Sequence, residues 1–115
     1  MPRFITALAL MAILAVETTP AETPEFADSD WPWWRGQHRD GSASPDQNPP
    51  TSWSANENVL WRTAIPGRGH GSVILLGEHA YLATADDSRN VQVVICLDRE
   101  TGSQEWESVV HRGEY

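Results

Sequence analysis

The stretch VVICLDRETGSQEWESVV, residues 93–110, decides how this chain is read. Two apolar runs flank a short polar turn, and a Trp stands four places beyond the Gly of that turn. Successive side chains of a strand point to opposite faces of its sheet. On that period Val91, Val93, Ile95 and Leu97 share one face, and Val94 and Cys96 share the other. A strand that is apolar on both faces requires cover on both. No amphipathic helical period of useful length occurs in the chain, so the covering layers are expected to be sheets.

The turn has its own logic. The short carboxylate of Asp98 can accept backbone N–H bonds from the residues that follow it and hold the chain in a loop. Thr101 adds a hydroxyl, and Gly102 supplies the positive φ on which such hairpin loops close. Counting by twos places Gly102, Gln104, Trp106, Ser108 and Val110 on one face of the last strand.

Outward from this stretch the chain reads as a meander. Strands are expected at residues 72–76, 79–85, 91–97 and 103–110, with a further strand at 59–65 stopped by Pro66-Gly67. Gly77-Glu78 is a two-residue link with Gly at its first position, as a type II′ hairpin prefers. DDSRN, residues 86–90, is a solvated loop that lacks the acidic spacing of a Ca²⁺-binding helix–loop–helix. Trp61 and Trp106 open similar segments, WRTAIPG and WESVVHR, 45 residues apart. A period of about 40–45 residues holding four strands is the spacing of a β-propeller blade. The expected fold is therefore all-β: one four-stranded antiparallel blade plus an extra strand, an incomplete part of a larger β-propeller.

The remainder divides in two. Residues 1–21 carry one Arg, a 13-residue apolar run and a small-residue exit at Ala21. That run is shorter than the about 20 residues a membrane-crossing helix needs, and the arrangement is that of a secretory signal peptide. Export to the periplasm or medium is expected, with no transmembrane segment. Residues 22–58 are rich in Pro, Ser, Asp and Gly and punctuated by Trp. They read as an irregular strap anchored by its indole rings rather than as a ligand platform. The blade region occupies 59–115.

Composition narrows the partners. The net charge is −8, and all eight basic residues are scattered arginines, a surface that repels nucleic acid and anionic lipid. A single cysteine, Cys96, excludes an internal disulfide and is read as a small buried core residue. His38, His79 and His111 show no metal-ligand spacing, so no metal site is expected. GRGHGS, residues 67–72, lacks the Lys of a P-loop and reads as the link into the first strand of the blade. In an up-and-down sheet that link and the 86–90 loop emerge at one end. Arg68, His70, Asp86 and Asp87 thus form the candidate binding rim, with a protein or polymer as the expected ligand.

The run CLDRETGSQEW resembles the tryptophan-docking repeat of quinoprotein-type propellers. Cys96 fills the small position, and Leu97, Asp98, Thr101, Gly102 and Trp106 match the rest. DWPWWRGQHRDGSAS and NVLWRTAIPGRGHGS resemble the N-terminal portion of exported bacterial proteins with PQQ-like repeats. The resemblance implies an exported propeller, and the superfamily includes both binding scaffolds and dehydrogenases. It carries over no catalytic residue, because no Asp base, Ca²⁺ ligand or adjacent-Cys pair is matched. No cofactor is evident. PQQ with calcium belongs only to the alternative, an alcohol or sugar dehydrogenase whose active site lies in other blades. A lone blade further marks the chain as a fragment or a truncated gene product.

Overall fold

The computed structural model describes residues 24–113, so the expected signal peptide lies outside the described residues. Four strands form one antiparallel sheet in the order β1-β2-β3-β4: Ile74–Leu76, His79–Asp86, Val91–Asp98 and Gln104–Arg112. The described residues contain no helix. The first strand starts two residues later than its sequence pattern suggests. Outside β1, Trp31 forms an isolated bridge to Leu75, with both backbone bonds made at 2.8 and 3.1 Å. Farther along the same side, Arg68 bridges Ala85 of β2.

The turns follow from local chemistry. Gly77 has φ 56° while Glu78 does not enter positive φ, the signature of the type II′ hairpin that closes Leu76 against His79. Between β3 and β4, Asp98 Oδ1 accepts from the Thr101 amide and hydroxyl, both at 2.7 Å. The Gly102 amide donates to the Asp98 carbonyl at 2.9 Å, and Gly102 adopts φ 71°. Bonds from Thr101 hold the Asp98 carboxyl below its ordinary range.

The core lies on one face of the sheet. Ala80, Val91, Val93, Ile95 and Leu97 are buried there, and the register sets Ile95 opposite Leu82 and Val93 opposite Val109. Residues 59–65, expected as a strand, belong to no ladder. Their alternation survives without hydrogen-bonded neighbours: Trp61, Thr63 and Ile65 are partly buried, while Arg62 and Ala64 are exposed. Trp61 and Ile65 cover the core face directly. Among the described residues the cover on this side is a single docked segment. Apolar alternation reports which side chains are shielded but not whether the backbone pairs.

Trp61 docks on the β3–β4 turn. Its Nε1 donates to the Arg99 carbonyl at 3.0 Å, and its ring lies so close over Gly102 that an added Cβ would stand 2.4 Å from Cδ2 and Cε3. Thr63 donates its hydroxyl proton to the Gly102 carbonyl. Arg99 completes the corner by donating to the carbonyls of Gly77 and Ser29 at 3.1 and 2.8 Å, tying the strap to both turns.

The strap is anchored less than its composition suggests. Trp31 is fixed by its bridge, but Trp33, Trp34 and Trp53 are 40%, 67% and 68% exposed. Arginine covers two of these rings locally: Arg35 lies 4.4 Å from the Trp34 ring centroid and Arg39 lies 5.2 Å from that of Trp33. Such cation–π contacts stabilise a ring at the surface without burying it.

Candidate functional site

Two bulges in β4 determine what the second face of the sheet presents. Cys96 lies opposite Trp106 and Leu97 opposite Gln104, so Glu105 is the extra residue between those pairs. A second shift, between Gln92 and Val93, leaves Val110 extra in the same way. Counting by twos from Gly102 fails for this reason. Gln104 falls on the core face with Leu97, whereas Trp106 and Ser108 fall on the other face with Cys96 and Val94. A bulge inserts one residue, bends the strand and re-aims the side chains beside it.

Glu105 faces a specific neighbourhood on the same side as Cys96. Its Oε2 lies 3.0 Å from His79 Nε2 and accepts the Cys96 thiol at 3.6 Å. One ligand atom each from His79, Cys96 and Glu105 falls within 4.8 Å of the others. Cys96 is fully buried and forms the floor, while the His79 and Glu105 side chains keep 40% and 38% of their surface exposed. Tyr81, directly opposite Cys96, forms one wall with its ring centroid 5.9 Å from that of Trp106 and 6.0 Å from that of His79. Burial pushes the Cys96 thiol up from its usual pKa, and the neighbouring Glu105 carboxylate pushes it further. Burial and the nearby Cys96 raise Tyr81 likewise. A buried thiol that donates to a carboxylate is held protonated, the reverse of an activated nucleophile.

The sequence treats Cys96 as inert core and His79 as isolated. The first reading holds for burial. The second does not, because β2, β3 and β4 each deliver one member of the group. No spacing motif could reveal it, since the three residues lie on separate strands and meet only through the register of the sheet.

The expected rim is assembled only in part. The Arg68 bridge sets the 67–71 link beside Ala85, and Arg68 and His70 help line a shallow depression of about 250 Å³ with Thr84 and Gln92. Asp86, in contrast, is engaged within its own loop. Its Oδ1 accepts from the Ser88 hydroxyl at 2.6 Å and the Ser88 amide at 3.0 Å, and its Oδ2 meets Arg89 Nε at 2.5 Å. These bonds, with Ser88 foremost and Arg89 next, lower its pKa to about 2. Arg89 then spans to Glu107 of β4 in a two-pronged pair, at 2.7 and 3.1 Å, which lowers the Glu107 carboxyl as well. Asp87 stays exposed, and its carbonyl accepts the Asn90 amide at 3.3 Å. Of the four rim residues, Asp86 is thus a loop fastener, as Asp98 is at the other end of the sheet.

The described residues do not make a calcium site. Calcium takes six to eight oxygen ligands. The His79/Cys96/Glu105 group instead mixes nitrogen, sulfur and oxygen, and Asp86 is tied to its own loop. Among the described residues no helix is long and apolar enough to cross a membrane. Comparison with protein families, with curated proteins and with solved structures finds no match to this chain.

Proposed function

We propose that this sheet is one blade of an exported β-propeller that acts as a non-catalytic scaffold, binding a protein or polymer at its rim. The observation that supports this reading is the docking of Trp61 on the Asp98–Gly102 turn. Trp61 precedes Trp106 by 45 residues, one blade period. In a repeating structure Trp106 would do to the next blade's turn what Trp61 does to this one. Its ring is 44% exposed and projects from the face opposite Trp61, as a docking residue for a following blade would. The rim ligand would meet Arg68 and His70, which are exposed beside Ala85.

The full-length protein provides the test. If Trp106 is docked there, Trp106→Ala costs about 3–5 kcal/mol in urea unfolding, as large aromatic truncations in a core do. Incubation with PQQ and Ca²⁺, followed by dye reduction over alcohols and sugars, tests the scaffold role. Absence of PQQ binding supports the scaffold, and stoichiometric binding with turnover replaces it by a dehydrogenase. A Trp106→Ala variant as stable as wild type would sink the blade reading itself.

A further inference from the structure

We infer that His79, Cys96 and Glu105 form a binding site for a borderline-soft divalent cation, zinc in the first instance. Three observations converge on this assignment. The donor set is the first: imidazole nitrogen, thiolate sulfur and carboxylate oxygen are the ligand types zinc takes, and a calcium or magnesium site would be built of oxygens alone. Charge is the second, because a neutral imidazole with one thiolate and one carboxylate balances a dication.

Geometry is the third. Zinc bonds of about 2.0–2.3 Å place tetrahedral ligand atoms about 3.3–3.8 Å apart. The His79–Glu105 and Cys96–Glu105 separations are 3.0 and 3.6 Å, and every pair in the group lies within 4.8 Å. Side-chain shifts of under about 1 Å therefore suffice to close three ligands on one ion.

The local fold also serves this arrangement. Counted from the Leu97–Gln104 pair, Glu105 lies on the face of Cys96, and the bulge adds Trp106 to that same face instead of the core face. Tyr81 lies beside the group, its ring centroid 6.0 Å from that of His79 and 5.9 Å from that of Trp106. Half-exposed His79 and Glu105 leave the fourth coordination position open on the outer side. Binding would displace the Cys96 thiol proton to solvent and break its contact with Glu105. A simple His79–Glu105 ion pair would not need the cysteine.

The test uses the full chain freed of metal with a chelator and titrated with Co²⁺ as the spectroscopic probe. One equivalent is expected to give a thiolate-to-cobalt charge-transfer band in the near ultraviolet and the intense visible bands of tetrahedral cobalt. Stoichiometric Zn²⁺ should bleach both. Cys96→Ser should abolish the charge-transfer band, and His79→Ala and Glu105→Gln should each weaken binding at least about tenfold. Those two side chains are partly exposed, so their variants carry the test if Cys96→Ser does not fold, with far-UV circular dichroism as the check on the sheet. Wild-type protein without a charge-transfer band overturns the assignment. So does a band that persists in Cys96→Ser, or an affinity that His79→Ala and Glu105→Gln leave unchanged. These readouts differ from the unfolding and PQQ tests of the blade reading, so either can fail without the other.

Discussion

Replacing Gly102 by Ala probes the corner on which the described fold depends. At φ 71° an L-residue carries a left-handed strain of about 1–2 kcal/mol. The new Cβ would also stand 2.4 Å from Cδ2 and Cε3 of Trp61 and 2.8 Å from Thr63 Oγ1. The indole must move to accommodate it. That movement breaks the Trp61 Nε1 bond to the Arg99 carbonyl, worth about 1 kcal/mol. It also thins the packing of Trp61 on the core, worth about another 1 kcal/mol.

The total is roughly 3–4 kcal/mol. Gly77→Ala is the internal control, since Gly77 has φ 56° and nothing within 4 Å of an added Cβ. Backbone strain alone applies there, about 1–3 kcal/mol for a type II′ position. Urea unfolding followed by far-UV circular dichroism measures both variants. A double-mutant cycle with Trp61→Ala then isolates the docking, and a coupling of about 2 kcal/mol is expected. If Gly102→Ala costs no more than Gly77→Ala, or if the cycle shows no coupling, Trp61 does not dock on this turn and the reasoning fails.

Other outcomes follow from the same structure. Asp86 has a depressed folded-state pKa, so its contribution to stability is fully present above its ordinary 3.8 and is lost as pH falls toward about 2. Asp86→Asn should flatten the acid limb of a plot of unfolding midpoint against pH, and an unchanged limb would show that the Ser88 and Arg89 bonds contribute nothing. Glu107→Gln should likewise weaken the link between the 86–90 loop and β4, read as faster amide exchange at Ser88 and Arg89; unaltered protection there would count against the Arg89 bridge. Export predicts that N-terminal sequencing of the mature protein starts at Glu22 or within a few residues, and an intact Met1 on protein recovered from the cytoplasm would contradict it.

The sequence by itself determined the parts of this molecule whose causes are local. The Asp98, Thr101 and Gly102 turn, the Gly77 hairpin and the meander of β1 to β4 each depend on neighbouring residues, which a short window contains. The burial of Val91, Val93, Ile95 and Leu97 was legible for the same reason, since period-two alternation needs no knowledge of the partner strand. The tertiary structure decided the rest. Residues 59–65 have the alternation of a strand but cover the core without joining a ladder, because burial and backbone pairing are separate constraints. Asp86 is fastened within its own loop by Ser88 and Arg89, whose rotamers no pattern specifies. The two β4 bulges changed which side chains share a face, setting Trp106 beside Glu105 on the face of His79 and Cys96. A bulge depends on how two strands settle their register against each other, so that group exists only once the sheet has formed.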